Sequence, residues 1–219
     1  MYDLLIFDWD GTIIDSEASI INSMKAAARD LTLNEPADAA VRNIIGLGLP
    51  EAIRTIFHDA DDALVSALRE RYVHHFLSAD PTQSNFFPGV EETLRSLHKE
   101  GFRLAVATGK SRRGLNRVLA DTQLGSLFEI TKCADETASK PDPMMLEEIL
   151  FMTDLPSHRA VMIGDTEYDL EMGYRAKMDT VAVSYGAHAM ERLTQWNPVK
   201  EIDEFCELQT WLFSNSSGS

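Results

Sequence analysis

The chain has few cysteines and no long apolar run. Its 219 residues include two cysteines, Cys133 and Cys206, which form neither a CxxC pair nor a His/Cys spacing typical of a metal site. A membrane-spanning helix needs about 18 apolar residues, and no apolar stretch of the chain comes close to this length. No basic segment precedes the first apolar run. We therefore expect reduced, partly buried thiols, no signal peptide, no transmembrane helix and a cytoplasmic location.

Positive charge is also scarce. Lys and Arg together number 20 against 35 Asp and Glu, which gives a formal net charge of -15 and a sequence pI of about 4.7. Proteins that bind nucleic-acid backbones or anionic membranes need clustered Lys and Arg, so we expect neither partner. An anionic substrate has to be attracted locally, against the field of the whole chain.

Short, nearly continuous apolar runs predict buried parallel strands. They lie at 4–8, 103–108, 128–133, 160–164 and 180–184. Apolar residues at helical spacing predict helices between these strands, at 90–101, 111–122, 142–153 and 166–177. This alternation indicates an α/β fold with a doubly wound, mostly parallel sheet of the Rossmann kind, in which ligands bind beyond the carboxyl ends of the strands.

Residues 15–82 interrupt the alternation. Helical patterns follow one another there without strand signals, at 17–31, 50–58 and 61–78. We predict that this segment is an inserted helical cap, that 1–14 and 83–213 form the α/β core, and that the small, polar tail 214–219 is disordered. The GLGLP segment at 46–50 is either a substrate-facing loop of the cap or simple helix punctuation.

Acidic residues collect where two predicted strands end. Asp8 and Asp10 follow the first strand, and residues two apart in extended chain face the same side. Asp165 and Asp169 follow the strand at 160–164. Adjacent carboxylates repel one another and need a cation or a shared proton, and hard oxygen ligands of this kind suit Mg²⁺. The sequence therefore predicts a magnesium site at this edge of the sheet.

Two further polar residues lie at strand ends or in the loops that follow them. Thr108 ends the strand at 103–108, and Lys140 lies in the loop after the strand at 128–133. A hydroxyl and an ammonium group beside Mg²⁺ are the groups needed to hold a phosphoryl oxygen and to neutralise its charge.

Taken in order, these motifs resemble those of the haloacid dehalogenase-like hydrolase superfamily. They are DWDGT at 8–12, TG at 108–109, KP at 140–141 and GDTEYD at 164–169. The segments FPGV, TGKSRRGL and SKPDP are similar to the branch that contains phosphoglycolate phosphatases. The resemblance covers almost the whole chain and implies a Mg²⁺-dependent phosphatase that acts on a small phosphorylated metabolite, with phosphoglycolate as the named candidate.

The resemblance also implies a role for each acidic residue. Asp8 is expected to attack phosphorus and form an aspartyl-phosphate. Asp10 is expected to protonate the leaving oxygen and then to accept a proton from the hydrolytic water. The metal is expected to be held by Asp8, by the backbone carbonyl of Asp10 and by Asp165, with Asp169 as a ligand or as a partner of the ligands.

The remaining matches are assigned to phosphate binding. Thr108 is expected to donate a hydrogen bond to the phosphoryl group, and Lys140 to offset its negative charge. Gly11 and Gly109 are expected to let backbone amides approach the phosphoryl oxygens. The basic residues that follow Gly109 either hold a second anionic group of the substrate or form a solvated helix face: Lys110, Arg112 and Arg113.

Two alternatives remain open. A sugar phosphomutase of the β-phosphoglucomutase kind resembles this chain, but that resemblance leads us to look for a histidine near the start of the cap, and residues 17–30 contain none. A non-catalytic phospho-acceptor module of the receiver kind also gathers acidic residues, a Thr and a Lys around Mg²⁺. In a receiver the acceptor lies on the third strand, whereas here the paired acids follow the first. Dehalogenases of the superfamily lack the second acid, so Asp10 favours phosphoryl transfer.

Overall fold

A computed structural model of the chain describes residues 2–78 and 85–216. Its strands are β1 (Leu4–Phe7), β2 (Ile14–Asp15), β3 (Asn85–Phe86), β4 (Arg103–Thr108), β5 (Phe128–Cys133), β6 (Ala160–Gly164), β7 (Asp179–Val183) and β8 (Lys200–Ile202). Six of them form a sheet in the order β5-β4-β1-β6-β7-β8, in which every neighbouring pair is parallel. The α/β fold predicted from the sequence is confirmed.

The helices fall into two groups along the chain. Those between β2 and β3 are α1 (Glu17–Asp30), α2 (Asp38–Arg42), α3 (Leu49–Ile56) and α4 (Asp62–Ser78). Those of the core are α5 (Val90–Lys99), α6 (Arg112–Thr122), α7 (Met144–Thr153), α8 (Glu167–Arg175), α9 (Met190–Leu193) and α10 (Glu207–Ser216). Among the described residues, no helix combines the length and the apolar character needed to cross a membrane.

Strand β1 lies in the middle of the sheet and is buried on both faces. Leu5 and Phe7 pack into one apolar cluster, and Leu4 and Ile6 pack into another on the opposite face. All four side chains are fully buried, as the side-chain alternation of a covered parallel strand requires. The position of β1 between β4 and β6 brings the carboxyl ends of three strands to one place.

Helices α1 to α4 enclose an apolar cluster of their own, which includes Met24, Ile53 and Leu68. The chain enters and leaves this helical region through the antiparallel pair of β2 and β3. This separate cluster supports the division into a core (1–14 and 83–213) and a helical cap (15–82), which stays a proposal. Residues 79–84, which include the predicted limit at 82, lie outside the described residues.

The sequence-based prediction was wrong at the C-terminal end. Residues 214–216 belong to α10 and are not disordered, because Leu208 and Leu212 anchor this helix in the core; 217–219 lie outside the described residues. Helices α2, α9 and α10 and strand β8 were also missed. The three residues of β8 read Lys-Glu-Ile, which carries no apolar run.

Candidate active site

Three parallel strands deliver polar residues to one edge of the sheet. Asp8 follows β1, Thr108 ends β4 and Asp165 follows β6, and these are neighbouring strands. The backbone N–H of Asp8 continues the sheet by donating to the carbonyl oxygen of Ile163 at 3.0 Å. The three side chains are almost completely buried, so this edge is a polar pocket enclosed by the protein.

The carboxylates of Asp8, Asp165 and Asp169 form a compact group. Each offers an oxygen atom that lies within 4.8 Å of the oxygens of the other two. Burial raises the pKa of Asp8 well above its usual range, and it raises the pKa of Asp165 to about 7, with the charge of Asp169 acting in the same direction. Removal from water therefore disfavours the charged form of both groups unless a cation is close.

Lys140 supplies one positive charge to this group. Its Nζ atom lies 2.7 Å from Asp8 Oδ1 and 2.6 Å from Asp169 Oδ1, and the side chain is fully buried. Burial alone lowers the pKa of Lys140, but Asp169 and Asp8 together raise it above its ordinary value. Lys140 is therefore a permanent ammonium group between two carboxylates.

The donor set fits a divalent cation. Three carboxylates against one ammonium group leave two negative charges without a partner when all are ionised. Both carboxylate oxygens of Asp8 are buried, and among the described residues Lys140 is the one partner, at Oδ1, so Oδ2 has none. Buried acceptors are normally paired, and oxygen ligands of this kind suit Mg²⁺.

The carboxylate of Asp165 is oriented by two distant parts of the chain. Its Oδ1 accepts a hydrogen bond from Thr12 Oγ1 and its Oδ2 accepts one from the Ala187 N–H, each at 2.8 Å. Two glycines make room for it, since a Cβ atom on Gly11 or on Gly186 would lie 2.2 Å from an atom of Asp165. Gly11 also has a φ of +86°, which few other residues adopt.

Asp169 is held by the start of its own helix. Its Oδ2 accepts hydrogen bonds from the Thr166 N–H at 3.1 Å and from Thr166 Oγ1 at 2.7 Å, while its Oδ1 faces Lys140. Both of its oxygens thus have partners within the protein, unlike Asp8 Oδ2. Asp169 therefore positions Lys140 and also contributes an oxygen to the group of three carboxylates.

Asp10 lies at the mouth of the pocket, outside the group of three carboxylates. Its Oδ1 accepts a hydrogen bond from Ser16 Oγ at 2.6 Å, and its Oδ2 lies 2.8 Å from Lys110 Nζ. The sequence singled out Lys110 only as part of a basic cluster and gave no role to Ser16. Ser16 precedes α1, where a serine normally caps the helix, but its hydroxyl is used by Asp10 instead.

The turn after β4 contacts the cap directly. Thr108 Oγ1 accepts a hydrogen bond from the Lys110 N–H at 3.2 Å, which leaves the hydroxyl proton available to another acceptor. A Cβ atom on Gly109 would lie 2.5 Å from the carbonyl oxygens of Gly46 and Leu47. The absence of a side chain at 109 therefore allows the cap to touch this turn.

Residues 46–48 form a glycine loop that lies on the loops of the pocket. The Gly48 N–H donates to Ser139 Oγ at 2.8 Å, next to Lys140, and a Cβ atom on Gly46 would lie 3.0 Å from Thr166 Oγ1. Of the two interpretations left open by the sequence, the structure favours a loop that faces the site.

A second set of contacts ties the cap to the core. The backbone oxygen of Asn43 accepts from Tyr168 Oη at 2.8 Å and lies 3.3 Å from His188 Nε2, and its Oδ1 accepts from Arg192 at 2.8 Å. His188 Nδ1 accepts from the Glu167 N–H at 3.1 Å. Glu167 and Tyr168 lie within the GDTEYD motif, but no motif in the sequence marks Asn43, His188 or Arg192, which only folding brings to them.

Comparison with known proteins identifies the family. The sequence profile of the haloacid dehalogenase-like hydrolases matches residues 5–183. The chain belongs to this family. It is 35% identical over 214 residues to a protein of Dickeya dadantii named "Probable phosphatase IndB", covering 95% of this chain and 92% of that protein. It is 30% identical over 211 residues to a phosphoglycolate phosphatase of Pseudomonas syringae pv. tomato, covering 94% of this chain and 78% of that protein.

The fold agrees with the family. A crystal structure of a hydrolase from Pseudomonas syringae superposes with a TM-score of 0.88 at 21% identity, covering 97% of this chain and 98% of that one. At this identity the likeness shows a common fold alone. The resemblance predicted from the sequence, to the haloacid dehalogenase-like hydrolases and their phosphoglycolate phosphatase branch, is confirmed by these relatives.

Proposed function

We propose that the protein is a Mg²⁺-dependent phosphatase that hydrolyses a small phosphomonoester through an aspartyl-phosphate on Asp8. The observation that carries this proposal is the buried Asp8 carboxylate, whose Oδ1 is paired with Lys140, whose Oδ2 has no hydrogen-bond partner among the described residues, and which lies beside two further carboxylates. A carboxylate with one oxygen free and an ammonium group on the other is suited to attack an electrophile that carries negative charge. The phosphatases among the relatives support the same reaction.

In the first step, an oxygen of Asp8 forms a bond to phosphorus while the bond from phosphorus to the leaving oxygen breaks. The protonated carboxyl of Asp10 gives its proton to that oxygen. In the second step, water adds to phosphorus, Asp10 takes a proton from it, and the bond between Asp8 and phosphorus breaks. The products are the alcohol and inorganic phosphate, and both aspartates return to their starting forms.

The phosphoryl group is held by the residues around Asp8. Lys140 neutralises charge on its oxygens, and the hydroxyl of Thr108 donates a hydrogen bond to one of them. Gly11 and Gly109 let further backbone amides approach these oxygens, although the N–H of Gly11 itself donates to the carbonyl oxygen of Ile14 at 2.8 Å. Lys140 is placed by its contact with Asp169, so it needs no rearrangement during the reaction.

Mg²⁺ is the proposed cofactor. Asp8, Asp165 and the backbone carbonyl of Asp10 would hold it, and Asp169 would act by positioning Lys140 or as a further ligand. When bound, the ion supplies positive charge that offsets the repulsion between the carboxylates and the phosphoryl group.

The proposed substrate is a small phosphorylated metabolite, with phosphoglycolate as the first candidate because relatives carry that name. The glycine loop of the cap packs closely on the turn after β4, which limits the space beside the pocket and favours a small leaving group. Close packing of this kind excludes bulk water from the reacting groups.

The proposal is tested by phosphate release from a panel of phosphometabolites, with Mg²⁺ and with EDTA. Asp8→Asn removes the nucleophile, and Asp59→Asn makes the same chemical change at an exposed position of the cap. We expect release that needs Mg²⁺, falls by about 1000-fold or more in Asp8→Asn and is unchanged in Asp59→Asn. Full activity in Asp8→Asn, or no release by the wild type from any compound, would contradict the proposal.

A further inference from the structure

Lys110 places a second ammonium group at the mouth of the pocket. Its Nζ atom lies 2.8 Å from Asp10 Oδ2, and the two side chains are 11% and 13% exposed. The backbone of Lys110 is fixed on both sides, because its N–H donates to Thr108 Oγ1 and its carbonyl oxygen accepts from the Ala134 N–H. The ammonium group is therefore held by the same turn that carries the phosphate-binding residues.

The other side of this ammonium group faces the cap. Its Nζ atom lies 4.9 Å from the ring centroid of Phe76 on α4, and Tyr72 stacks on Phe76 with the ring centroids 5.7 Å apart. A cation over an aromatic face is stabilised without using its hydrogen-bond donors. Among the described residues, Asp10 is the one carboxylate within ion-pair distance of Lys110, so donors of the ammonium group remain available to a ligand.

This position corresponds to the leaving-group side of the substrate. In the proposed reaction, Asp10 passes its proton to the leaving oxygen, so that oxygen must contact the Asp10 carboxyl. Lys110 Nζ lies one hydrogen-bond length beyond the same carboxyl. A group joined to the leaving oxygen through a single carbon therefore comes within reach of Lys110.

The charges around the pocket show why a cation is needed there. Four carboxylates lie at this face of the protein, and the whole chain carries a net charge of -15. Such a field repels a substrate that has a negative charge in addition to its phosphoryl group.

Other basic side chains of the region already form contacts with protein groups: Lys140 with Asp8 and Asp169, Arg42 with Glu17, Arg192 with Glu167, and Arg112 with Glu136 and Thr131. Of the basic residues that follow Gly109, Lys110 faces the pocket, whereas Arg112 is directed towards Glu136 and Thr131.

We propose that Lys110 binds a carboxylate carried by the leaving group of the substrate and thereby selects anionic over neutral leaving groups. This assignment rests on the proposed phosphatase function and names a specificity residue within it. The cap contributes through Phe76, which keeps the ammonium group at the boundary between the core and the cap.

The test compares two esters that differ mainly in charge. 2-Phosphoglycolate carries a carboxylate on its leaving group, and 2-hydroxyethyl phosphate has the same number of carbons with a hydroxymethyl group in its place. The measured quantity is the ratio of kcat/KM for the first ester to kcat/KM for the second. A ratio is the correct measure because loss of Lys110 also removes a contact of Asp10, which lowers turnover of both esters.

We expect the wild type to prefer 2-phosphoglycolate and Lys110→Met to lower the ratio by about 10- to 100-fold, mainly through KM for the carboxylate ester. Lys110→Arg keeps the charge and should retain most of the preference. Lys132→Met is the matched control, because Lys132 is paired with Glu148 on the surface of α7 and its loss should leave the ratio unchanged. Melting temperatures of all variants show whether each is folded.

Two results would overturn the role of Lys110. One is a wild type that shows no preference for the carboxylate ester, and the other is an unchanged ratio in Lys110→Met. Failure of the phosphatase proposal looks different, since the wild type would then release no phosphate from either ester or from p-nitrophenyl phosphate.

Discussion

Gly109 and Gly46 approach each other so closely that a Cβ atom on Gly109 would lie 2.5 Å from the carbonyl oxygen of Gly46. The turn after β4 and the glycine loop of the cap therefore meet only because no side chain lies between them. We expect Gly109→Ala to push the cap loop away from the pocket and to lower kcat/KM by about 10- to 100-fold.

The control for this prediction is Gly114→Ala. Gly114 lies in α6, where a Cβ atom would meet only ordinary contacts from 3.4 Å outward. Alanine is the better helix former, so this variant should keep its activity and its melting temperature or raise the latter slightly. Equal activity of Gly109→Ala and the wild type would show that the contact between turn and cap has no part in catalysis.

The raised pKa of Asp165 predicts how stability depends on pH. Its pKa in the folded protein is about 7, against an ordinary value of 3.8, so folding favours the protonated form. The stability that this group contributes is complete below its ordinary value and is lost as the pH rises through about 7. In EDTA, we expect Asp165→Asn to be more stable than the wild type at pH 8, by about 1–3 kcal/mol, and the gap to shrink at pH 5.

The asparagine side chain can keep the local hydrogen bonds. Its oxygen can accept from the Ala187 N–H, and its amide can donate to Thr12 Oγ1, whose hydroxyl rotates. Urea unfolding of both proteins at the two pH values measures the difference. A wild type that is more stable than Asp165→Asn at pH 8 in EDTA would refute the claim that the metal-free pocket is electrostatically strained.

Mg²⁺ should reverse this destabilisation in the wild type. Binding to ionised carboxylates adds about 2.7 kcal/mol at a concentration 100 times the dissociation constant, which for a chain of this size raises the melting temperature by several degrees. We expect a larger rise at pH 8 than at pH 6, because protons compete with the metal for Asp165. Asp165→Asn should lose most of the Mg²⁺-induced increase in melting temperature. An equal increase in that variant would show that Asp165 does not bind the metal.

The hydrogen bond from Ser16 to Asp10 predicts a positioning role for Ser16. Ser16→Ala removes the hydroxyl that donates to Asp10 Oδ1 at 2.6 Å. The carboxyl of Asp10, which is the proposed acid and base, can then rotate away from its working position. We expect kcat to fall by about 3- to 30-fold with little change in KM, and Ser16→Thr to restore much of the loss. Ser126→Ala, at an exposed position of the 3₁₀ helix Gly125–Leu127, is the control, and identical kcat values for the two alanine variants would show that Ser16 does not position Asp10.

The sheet and the acidic residues at its edge could be predicted because both follow from local patterns. The apolar runs of β1, β4 and β6 indicate buried parallel strands, and parallel strands bring their following residues to one edge. Asp8 and Asp165 therefore lie together although they are far apart in the chain.

The contacts that orient these residues could not be predicted. Thr12 and Asp165 are 153 positions apart, and nothing in either motif specifies the hydrogen bond between them. The roles of Ser16 and Lys110 at Asp10 depend on the direction of side chains in turns, which sequence patterns do not fix. The polar composition of 214–216 suggested disorder, but the apolar residues one turn earlier hold α10 in the core.

Chemical trapping of phosphorylated Asp8 is the decisive test of the proposed aspartyl-phosphate. Rapid acid quenching of the protein with 2-phosphoglycolate and Mg²⁺, followed by borohydride reduction and peptide mass spectrometry, converts an aspartyl-phosphate to homoserine. We expect homoserine at position 8 with Mg²⁺ and none with EDTA. Phosphate release without any change at position 8, or reduction at another aspartate, would contradict the proposed mechanism.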